Sequence, residues 1–168
     1  MGIAITLHQY LNDHQIPFEP VPHVRTGSSL DNAEVCQLPR ERVAKGVVLK
    51  QREGYFLAVV PASRSVSLDD VGRWLHQPVA LATEEELATL FPDCERGAVP
   101  PIGTAYGLRS VVDDSLKGKP DIYFEGGDHR TLIHVSGAAF QTLMQNMPHE
   151  RISKPNEIGE SERPYFGA

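Results

Sequence analysis

Lys45 lies in the middle of Val43-Ala44-Lys45-Gly46-Val47-Val48-Leu49, where every other residue is apolar or glycine. With strand alternation, Val43, Lys45, Val47 and Leu49 share one face, and Ala44, Gly46 and Val48 share the other. An ammonium group is almost never fully buried without a partner, and desolvation lowers its pKa. This lysine therefore either snorkels to the surface or borders a polar pocket. Blunting an edge strand against aggregation is a common use of lysine, and the segment by itself favours that reading.

Other chemistry-bearing residues are few. His129 and His134 are the best metal candidates, but within a strand a separation of five puts them on opposite faces, and no Cys or Glu completes a zinc set nearby. Cys94 follows Pro92-Asp93 without an identifiable base, so a structural cysteine is the simpler reading. The chain contains no Gly-x-Ser-x-Gly elbow, no Walker loop and no Gly-x-Gly-x-x-Gly opening a helix. No cofactor is expected.

The elements that position these residues follow from periodicity and turn chemistry. Ile3, Leu7, Tyr10 and Leu11 predict an opening amphipathic helix ending near Asn12-Asp13. Pro17, Pro20 and Pro22 force an extended segment, and Thr26-Gly27-Ser28-Ser29 is a turn that caps a short helix carrying Leu30 and Ala33. The runs 43–50 and 55–60 predict a hairpin covered on both faces. Ser65 or Ser67 caps a helix with Leu68, Val71 and Leu75 on one face, anchored by Trp74 and Leu75, and Thr83-Glu84-Glu85-Glu86 is a capping box for the next. Gly97-Ala98-Val99-Pro100-Pro101-Ile102-Gly103 reads as a stiff, shaped loop. Strands follow at 111–112, 121–124 and 131–135, the last two joined by a Gly126-Gly127-Asp128 turn, and Ser136 caps a closing helix. From about Pro148 the chain reads as a polar, loosely held tail. Without βαβ regularity the class is α+β, one domain over residues 1–150 with a tail over 151–168.

The bulk numbers bound the function. At 168 residues, with 40% hydrophobic and 23% charged content, the chain can bury a full core. No apolar run is long enough to span a membrane, and the N-terminus lacks a secretory pattern, so a cytoplasmic location is expected. Met1-Gly2-Ile3-Ala4-Ile5-Thr6 matches a loose myristoylation pattern but reads better as the start of a helix. Cys36 and Cys94 are too few for a disulfide framework. A net charge of −6 argues against broad phosphate-led binding, DNA included, but not against grasping one short terminus of a nucleic acid. Arg40, Arg42, Lys45 and Lys50 could form a basic cluster for that purpose, although a solvated surface is the favoured reading.

Taken in order, the Val-Ala-Lys strand with its hairpin, the Gly97…Pro100-Pro101-x-Gly103 loop and the strand–Gly126-Gly127–strand unit resemble the YbaK/ProX family of single-domain aminoacyl-tRNA deacylases. These are related to the editing domain of prolyl-tRNA synthetases, and the resemblance covers roughly residues 3 to 150. It implies a mixed, curved, barrel-like sheet flanked by helices. It also implies hydrolysis of the ester joining a mischarged small amino acid to the 3′ adenosine of tRNA. The family's lysine maps onto Lys45, implying a cation that contacts the terminal phosphate or the ester carbonyl. The family's glycine–proline loop maps onto Gly97 to Gly103, and Gly46, Gly97, Pro100, Pro101, Gly103, Gly126, Gly127 and His129 are the expected substrate-binding residues. The partners implied are the acceptor end of aminoacyl-tRNA and an aminoacyl-tRNA synthetase.

Two departures concern specificity. Many relatives carry a polar residue after the lysine, where this chain has Gly46. Alanine-specific relatives carry a histidine in the C-terminal strand, where this chain reads Phe124-Glu125-Gly126-Gly127, with His129 beyond the turn. Alanine, serine, threonine and cysteine stay open as the amino acid removed. A noncatalytic module that binds the tRNA end or a synthetase is the alternative reading.

Overall fold

The structure, a computed structural model, describes residues 2–156. Its centre is β2 (Val43–Gln51), which turns into β3 (Gly54–Pro61) through the expected hairpin. Added to these are β1 (Glu19–Pro22), β5 (Ala80–Leu81), β6 (Arg109–Asp113), β7 (Asp121–Glu125), β8 (Thr131–Ser136) and β9 (His149–Glu150). The strands run β1-β8-β7-β2-β3-β6-β9, with β5 on the far end of β2. The sheet is mixed: β2–β3 and β7–β8 are antiparallel, whereas β2–β7 and β3–β6 are parallel. Five α-helices of the described chain accompany it: α1 (Ile5–Asp13), α2 (Ser29–Val35), α3 (Leu68–Leu75), α4 (Glu84–Leu90) and α5 (Gly137–Leu143).

Local chemistry sets the helix starts. Ser28, Ser67 and Ser136 each accept the N–H of the third residue on, and Thr83 and Glu86 close a reciprocal capping box. Of the two serines proposed for α3, Ser67 is the cap; the helix buries Val71, while Trp74 and Leu75 are only half-buried.

The sheet separates two packed sides. Ala44, Val48, Leu57, Val59, Ile122, Phe124 and Ile133 join α1, α4 and α5 in the main core. On the other side, Val47, Leu49, Phe56, Ala58 and Val60 pack against α3, and Val43 packs with Leu30 and Ala33 of α2. Lys45 points to this second side, between the α2 and α3 clusters.

The structure decides three readings. β2 is an interior strand flanked by β7 and β3, so Lys45 is no edge-blunting lysine. The basic cluster does not form, because Lys45 and Lys50 face opposite ways on β2; Lys50 pairs with Glu86 at 3.0 Å and Arg42 with Asp121 at 3.8 Å. The chain beyond Pro148 is no loose tail: β9 pairs with β6, and β10 (Ser153–Pro155) pairs with β4 (Arg64–Val66). Ile152 between them is fully buried, with its N–H on Asp113 Oδ1 at 3.0 Å and its carbonyl on Ser67 N–H at 2.7 Å. The apolar Ile152 and two satisfied backbone groups carry the fold past residue 150. The rest of the expected tail lies outside the described residues.

Candidate active site

Lys45 is 6% exposed, on a strand otherwise buried from Val43 to Leu49. Parallel pairing sets Ala44 against Phe124, so the next residues along, Lys45 and Glu125, stand side by side on the face opposite those two. Glu125 is fully buried. Its Oε2 accepts three successive backbone N–H groups, from Gly127 at 2.8 Å, Asp128 at 3.2 Å and His129 at 3.1 Å. Its Oε1 has no hydrogen-bond partner among the described residues. Burial pushes the carboxyl above its ordinary range, against the pull of those N–H groups and of His129.

The turn that Glu125 gathers is tied to its surroundings. Gly126 donates to Thr131 O at 2.9 Å, and a Cβ on Gly126 would stand 2.9 Å from the same oxygen. Gly127 has φ +121°, and a Cβ there would meet Ala4 Cβ at 2.8 Å. Only glycine fits both requirements. His129 also takes a left-handed backbone, φ +61°, and its Nε2 lies 2.7 Å from Arg96 O. A carbonyl only accepts, so Nε2 carries the proton. In the neutral ring Nδ1 is then the acceptor nitrogen.

The Gly-Pro-Pro loop joins from two directions. Glu95 N–H donates to Gly127 O at 2.8 Å, and Gly97, at φ +80°, follows directly after Arg96, whose carbonyl His129 meets. Farther along, Pro100 and Pro101 are buried. A Cβ on Gly46 would stand 3.1 Å from Pro101 Cα and 3.4 Å from Val99 Cγ1. The loop therefore lies against β2 on the face away from Lys45. Gly46 acts in packing the loop onto the strand, and a larger side chain there has no room.

The expected site residues are thus partly brought together. Lys45, Gly97, Gly126, Gly127 and His129 converge around the Glu125 turn, with Thr26 N–H on His129 O at 3.1 Å closing another side. Gly46, Pro100 and Pro101 form the layer behind them. Gly103 goes elsewhere: a Cβ on it would run into Ser110 Oγ and lie 3.0 Å from Leu108 O, so it serves packing against β6. His134 is held between Asp121 at 2.8 Å and Glu19 at 3.5 Å and stacks on Tyr123, apart from His129. Among the described residues no three His, Cys, Asp or Glu side chains are grouped to hold a metal ion.

Cys94 is unsuited to nucleophilic attack. Burial first, then the nearby Asp93 carboxylate, pushes its thiol up to about 12, so it stays protonated at neutral pH. Its Sγ lies 3.4 Å from the Tyr106 hydroxyl, which donates to Asp93 Oδ1 at 2.9 Å; Asp93 Oδ2 receives Thr6 N–H at 2.8 Å at the start of α1. Glu125 was the residue left unassigned in the sequence. Its signal was the same as that of Lys45, a charge in an apolar strand, and it stands just before two glycines.

The model of the aminoacyl-tRNA editing domain matches residues 23–143, well over half of the chain. The chain belongs to the aminoacyl-tRNA editing domain family. It is also 28% identical over 106 residues to a proline–tRNA ligase of Fervidobacterium nodosum, covering 62% of this chain and 18% of that protein. With a proline–tRNA ligase of Thermosipho africanus it shares 31% identity over 97 residues, covering 57% of this chain and 17% of the ligase. The chain thus spans less than a fifth of the length of these ligases. A solved structure described as a candidate trans-editing enzyme for prolyl-tRNA synthetase has the same fold, with TM-score 0.77, 22% identity and coverage of 90% of this chain and 96% of that one. These findings establish a YbaK-like editing domain with a large mixed sheet. No helix among the described residues is long and apolar enough to cross a membrane.

Proposed function

We propose that this editing domain is a trans-acting aminoacyl-tRNA deacylase that hydrolyses the ester between a mischarged small amino acid and the 3′ adenosine of tRNA. The observation that carries this reading is Lys45, a cation held in the buried interior of the sheet beside the turn gathered by Glu125. A rigid cation in a low-dielectric setting interacts strongly with charge that appears during reaction.

The reaction needs no protein nucleophile. Water attacks the ester carbonyl carbon with its lone pair and gives up a proton, while the carbonyl π pair moves onto the carbonyl oxygen as an oxyanion. Collapse expels the ribose 3′ oxygen, which takes up a proton, while the neighbouring ribose hydroxyl helps position the water. Lys45 stabilises the oxyanion or the terminal phosphate as a cation. Gly97 and the Gly126-Gly127 turn bring backbone close to the substrate, and Pro100-Pro101 limit the ordering lost on binding. His129 contributes a fixed ring to the wall, with Nε2 held by Arg96 O.

The test is a deacylation panel over tRNAs mischarged with alanine, serine, threonine and cysteine, without added metal. Hydrolysis of at least one ester, lost in Lys45→Met, supports the reading. Tight binding of the acceptor end with no hydrolysis of any ester would instead make the domain a noncatalytic module.

A further inference from the structure

A cavity of about 640 Å³ opens on the α3 side of the sheet, within the range of small-ligand sites. Its walls include Phe56, Trp74, Leu75 and Met147, with Arg109 and Ser110 on the β6 side. Among the described residues no aspartate or glutamate lines it, although the chain carries 22 acidic residues. Arg109 is exposed and makes no ion pair among the described residues. Ser110 is 4% exposed, and its hydroxyl has no hydrogen-bond partner among the described residues. Among the described residues the outer edge of β6 is unpaired here, because β9 pairs only with Val112 and Asp113. Val112 N–H points away from β3 to Pro148 O, so the N–H of Ser110, two residues earlier, points the same way.

We propose that this cavity is a second nucleotide subsite. It takes a base and phosphate of the tRNA acceptor strand, upstream of the esterified adenosine. The half-buried indole of Trp74 offers a flat stacking surface. Arg109 supplies the charge for a phosphate, and the free edge of β6 supplies donors and acceptors for a base edge. The cavity opens at the far end of α3 on the same face of the hairpin as Lys45, with Val47, Leu49 and α3 packed between the two. Lys45 pairs with Val60 and Leu49 with Phe56, four positions apart along the hairpin, which is roughly 13 Å at strand rise. That distance is about four stacked nucleotides, the length of the unpaired 3′ end of a tRNA. The inference rests on the deacylase reading for its substrate, and it adds a second point at which this acidic domain holds the tRNA end.

Trp74 is the sole tryptophan, so its fluorescence reports directly on the cavity. The probe is a deacylated acceptor-stem hairpin RNA ending in CCA, titrated into the full chain. Quenching is expected, with the same hairpin trimmed of its unpaired end giving none. In kinetics, Trp74→Ala should raise KM for aminoacyl-tRNA roughly 10-fold. Arg109→Ala should lower the salt dependence of binding by about one phosphate contact. Neither change should alter hydrolysis of an aminoacyl ester of adenosine alone, which lacks the upstream nucleotides; Trp74→Phe should recover most of the lost affinity. Unquenched fluorescence on hairpin binding, or wild-type KM in both variants, overturns the subsite. Free mononucleotides quenching as well as the hairpin would overturn the tRNA as occupant. Quenching by the hairpin in a protein that hydrolyses no ester supports the subsite while removing the deacylase reading.

Discussion

A Cβ on Gly46 would stand 3.1 Å from the Cα of Pro101. Strand and loop are thus in backbone-level contact, with Lys45 on the reverse side of that strand. Gly46→Val should cost about 1–3 kcal/mol through overpacking and should lower turnover by shifting the loop. Urea unfolding and single-turnover deacylation, measured together, check this; a fully stable and active valine variant would remove the contact from the design of the site.

Lys45 contributes to both chemistry and packing. Lys45→Ala should lose on the order of 100-fold in rate, the scale for one charge-stabilising donor. At 6% exposure its stem is also packed, so the alanine variant should lose about 2 kcal/mol or more. Lys45→Met keeps the stem and should separate the two effects, staying near wild-type stability while remaining inactive. Normal turnover in the methionine variant would show that the charge is not needed.

The two expected loop glycines should now behave differently. Gly97 sits at φ +80° beside the Glu125 turn, so Gly97→Val should chiefly reduce turnover. Gly103 lies against Ser110 and Leu108 O, so Gly103→Val should chiefly reduce stability. Melting curves paired with kcat distinguish them.

Glu125 should leave a pH signature in stability. Its carboxyl is raised in the fold from the usual 4.5. As pH climbs, the unfolded chain releases this proton first, so the folded state loses relative stability from about pH 4.5 until the raised value is passed. Glu125→Gln keeps an acceptor for the three N–H groups and should abolish that decline. Glu125→Ala leaves three buried donors unmet, at about 1–3 kcal/mol each. Unfolding free energies across pH for wild type and the glutamine variant test the sign.

Cys94 should be dispensable and slow to react. With its thiol pushed up to about 12, alkylation by iodoacetamide at pH 7.5 should be far slower than for an unperturbed thiol. Cys94→Ala should retain activity; a dead variant would return the thiol to the mechanism.

Much of the architecture was legible because the caps and hairpin are local. Ser28, the Thr83–Glu86 box and Ser136 sit within a turn of what they satisfy, and the 43–60 hairpin follows from alternation and a glycine turn. Lys45 was legible as an anomaly, but its interior position was not, because the strand covering it is β7, far along the chain. The role of Glu125 depends on that same long-range pairing. Gly103 misled because a glycine after two prolines looks the same whether it meets a ligand or Ser110. Ile152 was read as tail because one apolar residue among polar neighbours carries no period.

The parallel pairing of Ala44 with Phe124 also sets a temporal order on synthesis. The hairpin can close as soon as Pro61 has emerged from the ribosome. The flank of β2 beside Lys45 stays uncovered until β7 is made, and closing so large a loop makes that docking a slow event. A nascent chain arrested before Asp121 therefore holds its lysine on an open strand edge, without the glutamate and glycine turn that complete the centre. Editing competence should arise late in translation, and chaperone contacts should concentrate on the β2 edge until then.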